Sequence, residues 1–221
     1  MTGPVCVSAK GILFDMDGVL VSSIDSVVRA WRRWAELYEI PDAESFEIPH
    51  GVRAKDIIRK LLPDVDQREA VRVIEDIEVE DVADLRVLPG VKMLLVGLPP
   101  ERWAIVTSST QRLLLARLGA AKLPVPERII SGDMVERGKP DPEPYRRGAE
   151  LLGFDPSECV VVEDAPSGVG AGKAAGCRVL GVVGTHSAEE LGEADWVVGS
   201  LEELAVARNQ DGLELRFLPV G

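Results

Sequence analysis

Apolar residues follow two alternating rhythms along the chain. Short β-branched runs recur as GILFD (11–15), WAIVT (103–107), RII (128–130), CVVVE (159–163), RVLGV (178–182) and DWVV (195–198). Near-continuous apolar runs of this length predict strands buried on both faces of a sheet. Between them, amphipathic stretches predict helices over 90–98, 110–119, 143–152, 167–176 and 201–207. Each crossover lays a helix on the sheet, so the pattern predicts an α/β fold with a Rossmann-like, doubly wound parallel sheet at its core.

The alternation breaks once. Between Val21 and Pro89 the segments SVVRAWRRWAELY, VRAKDIIRKLL and DQREAVRVIEDIEVEDVADL carry apolar residues three and four apart, which predicts three helices. Val27, Val28, Trp31, Trp34, Ala35 and Tyr38 give the first of them one buried face, with Trp31 and Trp34 expected as core of that unit. The expected organisation is therefore a core domain from residues 1–20 and 90–221, interrupted by an all-helical insert at 21–89. The C-terminal LELRFLPV reads as a short edge strand.

Composition narrows the function. The 221 residues are 46% hydrophobic and 28% charged, as in an ordinary folded domain rather than a disordered chain. With 25 bases against 37 acids the net charge is −12, so nucleic acid and anionic membranes are unexpected partners. The insert has ten bases and sixteen acids, or −6, which leaves −6 for the remainder, so neither part is a basic module. No apolar run reaches the roughly 20 residues of a membrane span, and the opening MTGPVCVSAKG lacks a secretory pattern, so a cytoplasmic location is expected. Cys6, Cys159 and Cys177 show no CxxC spacing and read as core fillers. With only His50 and His186, a multi-histidine metal site is excluded and a Ser-His-Asp triad is improbable. The chemistry must lean on carboxylates.

Four motifs sit at strand ends, where open α/β sheets bind ligands. Asp15-Met16-Asp17-Gly18 follows the first strand. Its two carboxylates can share a crevice, hold a divalent cation or divide nucleophile and acid/base roles, although Asp and Gly also make an ordinary turn. Thr107-Ser108-Ser109-Thr110 leads from a strand into a helix, a place suited equally to a phosphate or to a simple N-cap. Gly138-Lys139-Pro140-Asp141-Pro142 holds a lysine between rigid neighbours. Glu163-Asp164 ends the most apolar strand, where buried acids call for a cation. Gly168-Val169-Gly170-Ala171-Gly172-Lys173 is not a Walker loop, because its outer glycines are too close and Ala174 stands where a hydroxyl should bind magnesium.

Together and in this order, the four motifs resemble those of the haloacid dehalogenase superfamily of magnesium-dependent phosphatases. Asp15 and Asp17 match the first motif, Thr107 the second, Lys139 the third and Glu163-Asp164 the fourth. The insert has the place and helical character of that family's C1 cap. Ala30-Trp31, His50-Gly51-Val52-Arg53, Pro142-Glu143-Pro144-Tyr145 and Glu163-Asp164-Ala165-Pro166 are most similar to the 2-deoxyglucose-6-phosphate and glycerol-phosphate phosphatase group. Ser22-Ser23 departs from it, since many relatives carry Asp or Asn before the hydroxyl.

The resemblance implies hydrolysis of a small sugar- or polyol-phosphate ester. Asp15 would be the nucleophile and Asp17 the acid/base, with Thr107, the Ser108 N–H and Lys139 on the phosphate. Mg²⁺ would be held by Asp15, Asp164 and the Asp17 carbonyl, and by Glu163 directly or through water. His50 and Arg53 of the insert are the expected readers of the alcohol. A β-phosphoglucomutase-like mutase shares the motifs but places a histidine where Val27 aligns, and a phosphoglycolate phosphatase remains a further alternative.

Overall fold

The computed structural model describes residues 3–220. Its elements in chain order are β1 (Val5–Ala9), β2 (Gly11–Phe14), β3 (Val21–Ser22), α1 (Ile24–Leu37), α2 (Ala54–Leu61), α3 (Gln67–Glu80), β4 (Arg86–Val87), α4 (Val91–Gly97) and β5 (Trp103–Val106). They continue with α5 (Gln111–Ala121), β6 (Ile129–Ile130), α6 (Glu143–Leu152), β7 (Cys159–Glu163), α7 (Pro166–Ala175), β8 (Arg178–Val182), β9 (Trp196–Val198), β10 (Ala205–Arg208) and β11 (Leu213–Phe217). Six strands pair in the order β6-β5-β2-β7-β8-β9, all parallel. The chain leaves β2 toward β5 on one side and returns to β7 on the other, so the tip of β2 is the switch point at which a crevice opens.

Strand alternation divides the core into two layers. Ile12, Phe14, Val160, Val162 and Leu180 face α4, α5 and a second sheet, while Leu13, Ala104, Val106, Val161 and Val179 face α6 and α7. The insert has a third hydrophobic cluster of its own, built from Ala30, Trp31, Trp34, Ile57, Ile58, Ala70, Ile74 and Ile77. Trp34 is fully buried there and its indole N–H donates to the Ala70 carbonyl at 3.0 Å, which satisfies the one polar atom it carries inward. The antiparallel pair β3–β4, Val21 opposite Val87 and Ser22 opposite Arg86, ties together the two chain segments that enter and leave the insert.

The fold differs from the sequence expectation in five places, two of them being strand β1, which no apolar run predicted, and the two-residue pair β3–β4 inside the insert expected to be all-helical. Residues 201–207 form one 3₁₀ turn at Leu201–Glu203, started by the Ser200 side chain, and then strand β10. Leu204 and Val206 both face the core two residues apart, so the strand period prevails over the helical spacing. The C-terminal strand β11 is no edge, because it lies between β1 and β10 in an antiparallel three-stranded sheet. The third insert helix stops at Glu80 rather than Leu85, where Asp81 and Asp84 both bind Arg29 of α1 at 2.9 Å. Cys159 and Cys177 are buried as expected, whereas Cys6 is exposed on the outer face of β1.

Candidate active site

The chain after β2 is wound tightly enough to turn Asp15 and Asp17 into one crevice. The Asp15 N–H donates to the Val162 carbonyl at 3.0 Å, and both Leu20 and Val21 N–H groups close back on the Met16 carbonyl at 2.8 and 3.0 Å. Gly18 sits at φ +81, and a Cβ there would stand 1.9 Å from an Asp164 oxygen, so both backbone and space require glycine. This turn brings the first motif against the fourth.

Lys139 joins the motifs beneath the crevice. Its fully buried ammonium donates to Asp15 Oδ1 and Glu163 Oε1, each at 2.7 Å, and to the Val106 carbonyl at 3.1 Å. Burial works against this charge, but Asp15 and Glu163 outweigh it and hold the lysine pKa above its ordinary value. Burial also pushes Asp15 up to about 7, with Lys139 opposing and Glu163 and Asp17 adding to the rise. Asp164 is driven well above the usual carboxylate range by burial, then by Glu163 and Asp15.

Glu163 is satisfied on every side. Oε1 accepts from Lys139 and from the Tyr145 hydroxyl, at 2.7 Å each, and Oε2 accepts the N–H groups of Asp164 and Ala165 at 3.0 and 3.1 Å. Gly168 makes room for it, since a Cβ at that position would lie 1.7 Å from Glu163 Oε1. Oxygens of Asp15, Glu163 and Asp164 come within 4.8 Å of one another, and the Lys139 ammonium contacts the first two. An all-oxygen, acidic donor set fits a hard dication such as Mg²⁺. Asp15 Oδ2 accepts no hydrogen bond among the described residues, so Asp15 and Asp164 are the side chains open to such an ion.

The second motif forms the opposite wall. Thr107 is buried, its Oγ1 accepts the Ser109 N–H at 3.1 Å, and the Ser108 N–H has no partner among the described residues. Ser108 Oγ donates to the Gly51 carbonyl of the insert at 2.6 Å. Asp17 is held from three directions, by Ser23 Oγ at 2.6 Å, Ser109 Oγ at 3.0 Å and Arg117 Nη1 at 2.6 Å. All these groups open into a cavity of about 270 Å³ between the core and α1–α3, closed on the insert side by Val27, Trp31, Ile74, Glu75 and Glu78.

The two insert residues singled out in the sequence are placed differently. His50 lies on the cavity wall with its ring 5.7 Å from that of His186, and its pKa is lowered by burial first and by His186 second. Arg53 also lines the cavity, but its guanidinium is engaged elsewhere. Nε donates to Asp56 at 2.6 Å, Nη1 to the Gly132 and Val135 carbonyls at 3.3 and 2.9 Å, and Nη2 to the Glu136 carbonyl at 3.1 Å. Gly138 supplies its slot, because a Cβ there would approach Arg53 Nε to 2.3 Å. Arg53 thus clamps the insert to a core loop.

Sequence reasoning missed Arg117, Tyr145 and the Thr185-His186 pair. Thr185 Oγ1 donates to Asp164 Oδ2, and His186 Nδ1 lies 3.0 Å from the Asp164 carbonyl. Tyr145 entered only as the end of the Pro142–Tyr145 string, with no role assigned, and Arg117 left a signal as a charged residue on the buried stripe Leu113-Leu114-Arg117-Leu118-Ala121 of α5.

The haloacid dehalogenase-like hydrolase family matches residues 9–176. Hexitol phosphatase A of Escherichia coli (strain K12) is 40% identical over 211 residues, covering 92% of this chain and 96% of that protein. Glycerol-1-phosphate phosphohydrolase 1 of Saccharomyces cerevisiae is 36% identical over 233 residues, covering 98% and 93%. Among solved structures, a hydrolase from Pseudomonas syringae superposes with a TM-score of 0.78 at 26% identity, covering 87% of this chain and 94% of that one.

Proposed function

The chain belongs to the haloacid dehalogenase-like hydrolases and is a phosphoric monoester hydrolase, and on that premise we propose that it uses Mg²⁺ to hydrolyse a small polyol- or sugar-phosphate through an aspartyl-phosphate on Asp15. One observation carries this reading. Among the described residues Asp15 keeps one oxygen unbonded while Lys139 holds the other at 2.7 Å, beside Asp164, whose Oδ2 alone is bonded, and beside a Ser108 N–H without a partner. That is a nucleophile next to counter-charge and an anion seat.

In the first step an Asp15 oxygen bonds to phosphorus as the ester P–O bond breaks, and Asp17 gives its proton to the departing alkoxide. In the second, water attacks phosphorus and gives a proton to Asp17, and the bond to Asp15 breaks to release phosphate. Thr107, the Ser108 N–H and Lys139 bind the phosphoryl oxygens, where fixed donors contribute most as charge moves. The Asp15 and Asp164 carboxylates and the Asp17 carbonyl would hold Mg²⁺, which would supply counter-charge to the phosphoryl group. Glu163 has no acceptor position left over and acts through Lys139, which it orients. We take 21–89 as a cap over a core of 1–20 and 90–221, with His50 reading the alcohol and Arg53 seating the cap.

The names of the relatives favour polyol and sugar phosphates. Val27 lines the cavity where a mutase histidine would be expected, which favours hydrolysis over isomerisation. Three free thiols, two of them buried, fit a reducing cytoplasmic setting. The test is phosphate release from hexitol phosphates, glycerol phosphate, phosphoglycolate and hexose phosphates, with Mg²⁺ and with a chelator. Release from a polyol or sugar phosphate that stops with chelator, and stops in Asp15→Asn, is the expected result. Release that survives either treatment, isomerisation of a hexose phosphate without free phosphate, or silence across the panel defeats the proposal.

A further inference from the structure

Asp17 has to give a proton in one step and take one in the next, and its carboxylate does not stand alone. Arg117, from the middle of α5, places Nη1 2.6 Å from Asp17 Oδ2 and 3.0 Å from Ser109 Oγ, which itself donates to Asp17. Its Nη2 donates to Glu78 Oε1 at 3.0 Å. Glu78 belongs to α3 of the insert, and both it and Arg117 are buried. One guanidinium therefore bridges the core motif and the element that covers it.

An arginine in this position could merely fill the core, but two features argue otherwise. Asp17, Arg117 and Glu78 all line the one cavity, so the bridge runs along the wall of the site rather than behind it. Arg117 Nε, moreover, is buried without a partner among the described residues. A guanidinium placed for packing alone would have that donor satisfied, because an orphaned buried donor carries an uncompensated desolvation cost. Its direction is set by the two carboxylates it faces. A buried charged triad is also seldom worth more to stability than apolar residues of the same volume.

We propose that Arg117 is a positioning residue for Asp17, and that Glu78 makes this positioning depend on the seating of the helical insert. With the insert seated, the guanidinium is shared between two carboxylates, and Asp17 Oδ1, steadied by Ser23, faces the ester oxygen. With the insert withdrawn, Arg117 has Asp17 alone and draws it toward α5. The acid/base group is thereby presented only when the substrate is enclosed. The inference rests on Asp17 being the proton carrier.

The leaving group supplies the test. An alkyl phosphate departs as an alkoxide and needs the Asp17 proton, whereas p-nitrophenyl phosphate departs as a stabilised phenolate and does not. Removing Arg117 alone would strand Glu78 as an unpaired buried charge, so the variant is the double Arg117→Met/Glu78→Gln, checked by thermal melting. Single-turnover alcohol release from glycerol phosphate should fall about ten- to hundredfold, while first-turnover nitrophenolate release changes less than about threefold. Arg117→Lys, which keeps charge and bulk, should show a smaller loss with the same selectivity and serves if the double variant does not fold. Equal losses on the two esters, or no loss on either, would overturn the inference. Asp17→Asn separates the two readings. If it releases glycerol at the wild-type rate, the proton-carrier role itself fails. If it is inactive while the Arg117 variants are normal, only the positioning role does.

Discussion

Four donors converge on Glu163, and none of them comes from solvent. The consequence is that a carboxylate with zero exposure stays where it can aim Lys139, rather than turning toward the crevice. Tyr145 is the donor whose removal leaves no orphan, because Phe carries no hydroxyl to desolvate. Tyr145→Phe should lower stability by about 1.5–3 kcal/mol, the range for a hydrogen bond to a charged group. Denaturant unfolding measures that loss, and steady-state rates should show a parallel fall in kcat with little change in KM, since the tyrosine reaches the phosphate only through Glu163 and Lys139. An unchanged unfolding midpoint would mean the hydroxyl is dispensable to Glu163. The acids at 15, 17, 163 and 164 are readable in the sequence because each sits where an apolar run ends, and the lysine at 139 because a glycine and two prolines flank it. The roles of Tyr145 and Arg117 are hidden because each lies within a helix and gains its partner only through packing, although the charge of Arg117 on the buried stripe of α5 marks it as unusual.

Among the elements, α3 of the insert meets the core through side-chain pairs, Arg112 with Glu75 and Asp76 and Arg117 with Glu78, while the insert's loop around Gly51 and Arg53 meets it through backbone carbonyls. Arg53 bonds three carbonyls between Gly132 and Glu136, Ser108 bonds the Gly51 carbonyl, and Ser167 bonds the His50 carbonyl at 2.9 Å. Such contacts set where the insert rests without regard to which alcohol is bound. Arg53→Ala should therefore raise KM by a common factor of about tenfold for every ester accepted, with the core still folded. Measuring KM across several phosphates decides the matter, and a penalty confined to one alcohol would return Arg53 to direct recognition. The elements themselves were legible where one period dominated: β7, β8 and α6 run over the residues that their apolar spacing predicts. The failures lie at 201–207 and at β1: Val206 becomes a strand residue by pairing with the neighbouring β11, and Val5 and Val7 by pairing with that same strand at the far end of the chain. The slot for Arg53 was equally unreadable, since it depends on Gly132 and Gly138 being opposite it in space.

Across the whole molecule, the parallel sheet does the work of assembly. β5, β2 and β7 are adjacent, so the tips of three strands far apart in the chain deliver Thr107, Asp15 and Asp164 to one crevice, while the insert closes over it. Among the described residues no helix is long and apolar enough to cross a membrane. The proposed chemistry turns on a single atom pair, an Asp15 oxygen and phosphorus. It is tested most directly by acid-quenching Asp17→Asn during reaction with p-nitrophenyl phosphate and locating phosphate by peptide mass spectrometry. Without a base to activate water, the phosphorylated enzyme should accumulate, with the modification on the peptide containing Asp15 and absent from Asp15→Asn/Asp17→Asn. Nitrophenolate release from a chain that carries no phosphate, or carries it on another residue, would contradict the account.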